Sequence, residues 1–165
     1  MRLLTVLLCT CLLAACGWQW RGTAATMVFD ELALRGGEAR TRYDIEAALL
    51  QREVMVSESA PVILQIDSER WSKRTVVVDR QGRSAGVEMR YEIVWQLRDP
   101  SGPPLSARRE LFLTRTYQVD PTNALATSDE ESLTREMMRR EAAEGLMQQL
   151  HAESVRLTPA AAVEP

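Results

Sequence analysis

The side chains able to do covalent or metal chemistry are few: one histidine, His151, and three cysteines, Cys9, Cys11 and Cys16. Catalysis built on paired histidines and a His-rich metal site are excluded by that count. The chain carries no Gly-rich phosphate loop, metal-ligand spacing or nucleophile elbow. Asp67 and Glu69 are of the type that does general acid–base work, but they stand among many other acids, and the sequence reads as non-enzymatic. What the chain does concentrate is positive charge. Arg70, Lys73, Arg74, Arg80 and Arg83 face only Glu69 and Asp79 across one strand and its turn. Guanidinium groups grip phosphate in a bidentate fork, so binding a phosphate-bearing ligand is the chemistry this stretch offers. A solvated basic hairpin tip would carry the same residues.

These groups need a scaffold, and 165 residues, 45% of them hydrophobic and 26% charged, suffice for one globular domain and not two. A net charge of −3 gives no global basic field, and aromatics at 5% leave little for base stacking, so a nucleic-acid partner is not expected. Lys73 is the only lysine among 20 basic residues.

The N-terminus reads as an address. Met1-Arg2 is followed by an apolar run from Leu3 to Ala15, the layout of a secretory signal. The run is too short to span a hydrocarbon core of about 30 Å as a helix. Leu13-Ala14-Ala15-Cys16 resembles the bacterial lipobox, which predicts removal of residues 1–15 and acylation of Cys16. Cys9 and Cys11 then leave with the signal, the mature chain keeps no free thiol, and loss of Arg2 takes the net charge from −3 to −4. Several acyl chains at about 0.8 kcal/mol per buried methylene make the anchor permanent. No cofactor is expected beyond those covalent chains. Gly17, where an inner-membrane lipoprotein would carry Asp, resembles the sorting signal for the outer membrane.

Residues 16–25 read as the lipidated cysteine and a tether, with Trp18 and Trp20 suited either to the headgroup layer or to packing on the domain. A single domain is expected over 26–152, and an irregular, disordered tail over 153–165. Within the domain, Thr26–Leu34 reads as a strand broken by Gly36-Gly37. Glu38–Val54 reads as a helix with an apolar stripe of Tyr43, Ala47, Leu50 and Val54, flanked by Ile45 and Leu49. Val62–Ile66 and Thr75–Val78 are β-rich, either two short strands or one long one. Alternation from Val87 to Arg98, broken only by Val94, makes a strand with one dry and one wet face. Asp99–Pro104 is a dense turn signal, suited to a partner-contacting loop or a plain turn, and the alternation resumes from Leu105 to Tyr117. A last helix is expected from Ser128, capped by a Ser128–Glu131 box, with Met138, Ala142, Leu146 and Leu150 on its dry face. The economical architecture is α+β: a two-layer sandwich with both helices on one face of a four- or five-stranded mixed sheet. The other face would present Glu88, Arg90, Glu92, Gln96, Arg98, Arg108 and Glu110 to solvent or to a polar partner.

Cys16-Gly17-Trp18, Arg115-Thr116-Tyr117, the approach Asn123-Ala124-Leu125-Ala126, Glu130 and Glu136-Met137 together resemble the lipopolysaccharide-assembly lipoprotein family LptE. The resemblance implies a 1:1 complex with a large outer-membrane β-barrel that inserts lipopolysaccharide. The lipoprotein then plugs the barrel lumen, assists barrel assembly and contacts lipopolysaccharide, its domain facing the periplasm and the lumen. A barrel interior is polar, which suits the charged sheet face, and makes Arg90, Arg98 and Arg108 candidate contacts. Trp71 is a further candidate against the barrel wall or an acyl chain, or is half-buried core. Lipid A carries phosphates, and Arg80 stands where family members carry an arginine before a Gly-containing turn. Arg80 ranks first as a lipopolysaccharide contact, Arg83 second, followed by Arg74, Lys73 and Arg70. Thr127 replaces a basic residue found in some relatives. The competing readings are a stand-alone periplasmic lipid-binding lipoprotein and an accessory lipoprotein of another envelope machine.

Overall fold

The structure is a computed structural model, and it describes residues 29–120 and 122–157. The expected signal segment 1–15, Cys16, the tether 16–25 and the end of the tail from 158 lie outside the described residues. The elements run β1 (Glu31–Gly36), α1 (Ala39–Leu50), β2 (Met55–Val56), β3 (Ile63–Val78), β4 (Ser84–Arg98), β5 (Arg109–Gln118) and α2 (Ala124–Leu157). They form a five-stranded sheet in the order β2-β1-β3-β4-β5. β1 pairs in parallel with β2 and β3, while β3–β4 and β4–β5 are antiparallel. Both helices cover one face: α1 meets β3 and β4 through Thr41, and α2 meets β4 through Gln149 and β5 through Glu141. The expected α+β two-layer sandwich is the observed one.

Alternation builds the dry layer. Met89, Tyr91, Ile93, Trp95 and Leu97 of β4 are all buried, joined by Leu32 and Leu34 of β1 and Leu64 and Ile66 of β3. From α2 come Met138, Ala142, Leu146 and Leu150, the stripe legible in the sequence. The stripe expected on α1 lies about half a turn away from the buried one. Tyr43 and Leu50 are each 72% exposed, and the buried face is Thr41, Ile45, Ala48 and Leu49. Thr41 disguises that face, because its hydroxyl counts as polar in any apolar pattern and here is buried on partners of its own.

Those partners are the centre of the fold. The Cα pairing between β3 and β4 jumps from Ile66↔Trp95 to Ser68↔Val94, so Asp67 is an extra residue, a β-bulge. The bulge brings Glu69, Trp71 and Lys73, instead of Ser68, Arg70 and Ser72, onto the helix face. It also explains why 67–74 reads as a polar interruption: β3 is one 16-residue strand whose alternation changes phase. Glu69 accepts hydrogen bonds from the Glu38 N–H (2.8 Å), the Thr41 hydroxyl (2.6 Å) and the Tyr91 hydroxyl (2.7 Å). Its carboxylate thereby caps the N-terminus of α1, which has no side-chain cap of its own. Burial, with Glu69 alongside, pushes the Tyr91 phenol far above its ordinary range and keeps it a donor. Trp71 stacks on Tyr91 with ring centroids 3.8 Å apart, and the Arg135 guanidinium of α2 sits 5.1 Å above Trp71.

Three boundaries differ from expectation. α2 begins at Ala124, where Asn123 Oδ1 accepts the Ala126 N–H (3.1 Å), so Asn123 is the cap and the Ser128–Glu131 box does not form. Glu131 instead accepts from Lys73 of β3 (2.8 Å), Arg135 (3.0 Å) and the Tyr117 hydroxyl (3.1 Å). α2 also runs on to Leu157, correcting the tail expected from 153: Glu153 is 7% exposed and paired with Arg109 and Arg156. Finally, β5 starts at Arg109, not Leu105, because the Leu97 N–H is taken by the Ser106 hydroxyl (2.9 Å) before the strands pair.

Chain reversal from β1 into α1 depends on Gly36 and Gly37, with φ of +77° and +73°. A Cβ on Gly36 would lie 2.2 Å from the Ile66 carbonyl oxygen, whereas one on Gly82, with φ +78°, would meet nothing. Gly36→Ala should therefore destabilise by about 3 kcal/mol and Gly82→Ala by about 1 kcal/mol, read from urea unfolding midpoints. Equal effects would show that close approach to Ile66 does not decide the difference. In the same assay Glu69→Ala should lose about 2–4 kcal/mol, since it uncaps α1 and strips a charged acceptor from Thr41 and Tyr91 together.

Candidate functional site

β3 and β4 run past the helix-covered core and close in a tight turn at Asp79–Arg83. Asp79 organises that turn. One carboxylate oxygen accepts the N–H groups of Gln81 and Arg83 (2.9 Å each), and the other accepts Arg83 Nε (2.7 Å). The Arg83 backbone bond, aided by its side chain, holds the Asp79 carboxyl below its usual range. Gly82 supplies the left-handed residue and donates its N–H to the Asp79 carbonyl. Arg83 is thus part of the turn, and Arg80 is left at the apex, exposed. Among the described residues no carboxylate pairs with Arg80.

The five cations grouped by sequence do not form one patch. Lys73 faces the helices and is held by Glu131. Arg74 points to the opposite face, where Glu88 holds it through two bonds of 2.6 and 3.1 Å. Arg70 is on that same face, opposite Glu92 in the β3–β4 register. Arg83 is bound to Asp79 at the tip, beside Arg80. Period-two geometry sends Lys73 and Arg74 to opposite sides of the sheet, a separation that a count of local charge cannot register.

The sequence reading passed over the apolar neighbours of Arg80. Val76, Val77 and Val78 are 42%, 52% and 61% exposed, because the end of β3 projects beyond the cover of α2. Leu125 on the first turn of α2, 73% exposed, belongs to the same end, which the Val119 N–H to Ala85 carbonyl bond closes. The signal was available in the β-branched run Thr75–Val78, which has no alternating polar partner. One free guanidinium beside exposed aliphatic side chains is the chemistry that meets an amphiphile with an anionic head and apolar tails.

The open face of the sheet forms a second, different surface. Arg90 lies near its centre, 4.4 Å over the Phe112 ring and 3.5 and 3.7 Å from Glu92 and Glu110. Arg108 reaches Asp67 at 2.7 Å, and Gln96, almost fully buried, donates to the same carboxylate. Arg98 follows on the same side of β4. The candidate contacts Arg90, Arg98 and Arg108 are therefore brought together, while Trp71 is not: it is packed between the sheet and α2, stacked on Tyr91. Phe112, 55% exposed in the middle of this charged face, is the residue that sequence reading missed.

Among the described residues, no cluster of three or more His, Cys, Asp or Glu side chains could hold a metal ion. No helix there is long and apolar enough to cross a membrane.

No curated protein matches the chain. Its fold is shared by solved lipoproteins of low sequence identity. A lipoprotein B of Nitrosomonas europaea is 22% identical, with a TM-score of 0.70, over 84% of this chain and 93% of that one. The rare lipoprotein B of Shewanella oneidensis is 23% identical, with a TM-score of 0.66, over 77% and 98%. A minor lipoprotein of Acinetobacter baumannii is 18% identical, also at 0.66, over 76% and 93%. The model of the LptE family, described as lipopolysaccharide-assembly, matches residues 27–150, which takes in the sheet, α1 and most of α2: the chain belongs to the LptE family of lipopolysaccharide-assembly lipoproteins.

Proposed function

We propose that the chain is an outer-membrane lipoprotein, acylated at Cys16, that plugs and helps assemble a lipopolysaccharide-translocating β-barrel. In this reading it forms a 1:1 complex with the barrel and contacts lipopolysaccharide directly at the β3–β4 tip. Family membership supports the assembly role. The observation that carries the direct contact is Arg80, unpaired among the described residues and flanked by Val76, Val77 and Val78.

The open sheet face supports the plug. Arg74, Arg90 and Arg108 pair there with Glu88, Glu92, Glu110 and Asp67, while Arg70 and Arg98 form no ion pair among the described residues, so the surface is a mixed, charged one that suits the polar wall of a barrel lumen. Arg90 and Phe112 are the side chains placed to make specific contact there. The role is one of assembly and hand-over, with no bond made or broken by the protein.

Geometry separates the two tasks. β3 is 16 residues long, so the Arg80 tip stands about 50 Å from Ile63 at the other end of the strand. A ligand at the tip and a barrel wall along the open face can be engaged together.

Arg80→Glu should weaken binding of purified lipopolysaccharide to the isolated mature chain at least fivefold, with an unchanged circular dichroism spectrum. Arg74→Glu, which loses a cation already neutralised by Glu88, should change it less than twofold. In parallel, a mild-detergent pull-down of the acylated, C-terminally tagged chain should recover one large β-barrel in equal amount. Unaltered lipopolysaccharide binding in Arg80→Glu would remove the tip site. Recovery of the lipoprotein alone would favour a stand-alone lipid-binding lipoprotein, and recovery of a different complex would favour another envelope machine.

A further inference from the structure

The parallel side of the sheet ends in β2, which is two residues long and pairs only with β1 among the described residues. Met55 donates its N–H to the Asp30 carbonyl at 2.9 Å, and Ser57 donates to the Leu32 carbonyl at 3.1 Å. Val56, between them, therefore turns its own N–H and carbonyl outward, away from β1. Side chains on this edge divide by face. Val56 pairs with Leu32, which enters the core beneath the helices, so Val56 lies on the helix side, where α1 ends at Leu50. Met55 pairs with Glu31 on the open side. Leu50 is 72% exposed, Met55 69% and Val56 41%. Three carboxylates of the same edge, Asp30, Glu31 and Glu53, form no ion pair among the described residues.

An occupant of this edge must bring apolar surface and a cation. Residues 17–28, which lie outside the described residues, have that composition: Trp18, Trp20, Met27 and Val28, no carboxylate, and Arg21 as the sole charge. They join the domain at Phe29, which packs half-buried against the core, one residue before the Asp30 that holds Met55. Twelve residues reach about 40 Å at most, whereas the outer side of β2 is about 10 Å, two strand spacings, from β1. In an extended run Trp18 and Trp20 share one face and Arg21 takes the other. The edge has the same division, with Leu50 and Val56 on the helix side and Glu31 on the open side. The other end of the chain, 158–165, offers one large aliphatic residue, Val163, with Glu164 and no cation.

We infer that residues 17–28 fold back along β2, seating Trp18 and Trp20 on Leu50 and Val56 and Arg21 against Glu31. Two indoles, each able to bury about 150–250 Å², supply the apolar cover that Leu50 and Val56 lack. The segment also shields the outward N–H and carbonyl of Val56, an open edge of the kind that invites pairing with another chain. This docking is a property of the chain itself and is independent of lipopolysaccharide binding and of the barrel.

The mature chain carrying Cys16→Ser, studied by NMR without lipid, tests the docking apart from any membrane contact. Indole protons of Trp18 and Trp20 should give nuclear Overhauser cross-peaks to the methyl groups of Leu50 and Val56. Leu50→Ser with Val56→Ser should abolish the remaining indole contacts with the domain. Val76→Ser with Val78→Ser, at the far end of β3, should leave the wild-type cross-peaks intact. The Trp95 indole, bonded to Gln149 at 3.0 Å, reports that the fold persists in each variant. Arg21→Glu should weaken the Trp18 and Trp20 cross-peaks at least twofold, and adding Glu31→Arg should restore them. Absence of the cross-peaks in the unsubstituted edge would overturn the inference. So would cross-peaks to Leu50 and Val56 from residues 158–165, or from a second copy in a mixed-label sample. Full-strength cross-peaks in Arg21→Glu would overturn the seating of Arg21 against Glu31.

Discussion

The Glu69 carboxylate is the interaction on which the rest of the arrangement depends. It satisfies an orphan N–H at the start of α1, receives the Thr41 and Tyr91 hydroxyls, and does so from a strand 28 to 31 residues away in sequence. Charge-assisted bonds of this kind each contribute about 1.5–3 kcal/mol where burial excludes water. Their direction matters as much as their strength. By claiming Thr41, Glu69 sets the rotation of α1 about its own axis, and with it which of two competing apolar stripes enters the core. The Asp67 bulge is what presents Glu69 on that side of the sheet. One extra residue in β3 thus determines the phase of a helix on the neighbouring layer.

That chain of dependence explains what could be seen in the sequence and what could not. The run from Val87 to Arg98 announced itself through alternation broken only at Val94, and the stripe of Met138, Ala142, Leu146 and Leu150 through helical spacing, because the buried positions of both are filled mainly by apolar side chains. The phase of α1 was hidden, since its decisive contact is a threonine hydroxyl. β3 looked broken, since a bulge changes the meaning of odd and even positions partway along. Arg109 and Arg115 break the apolar alternation of β5 because they lie on the helix side of the sheet edge and pair with Glu153 and Glu141 of α2. At the site, Arg80 was legible from local charge, but its isolation was not, because the pairing of Arg74, Lys73 and Arg83 depends on partners on other elements. Phe112 and the valine run had to wait for knowledge of where the helices stop.

Two surfaces with different physical character result from one sheet. The helix-covered side is held by close packing around Trp95 and Tyr91, and the open side carries ion pairs of Arg74, Arg90 and Arg108. Exposed aliphatic groups are sparse along the length and concentrated at the two ends.

The pairing order of the strands also has a consequence for how the chain acquires its shape. β3 and β4 are neighbours in sequence, joined by a turn that Asp79 stitches together locally, so their hairpin can zip early at little loop-closure loss. β1 and α1 are made first, yet β1 pairs in parallel with β3, and α1 takes its cap from it. Synthesis from the N-terminus therefore delivers the first helix before the residue that caps and orients it. The early segment is obliged to wait for a template, and the long hairpin is that template.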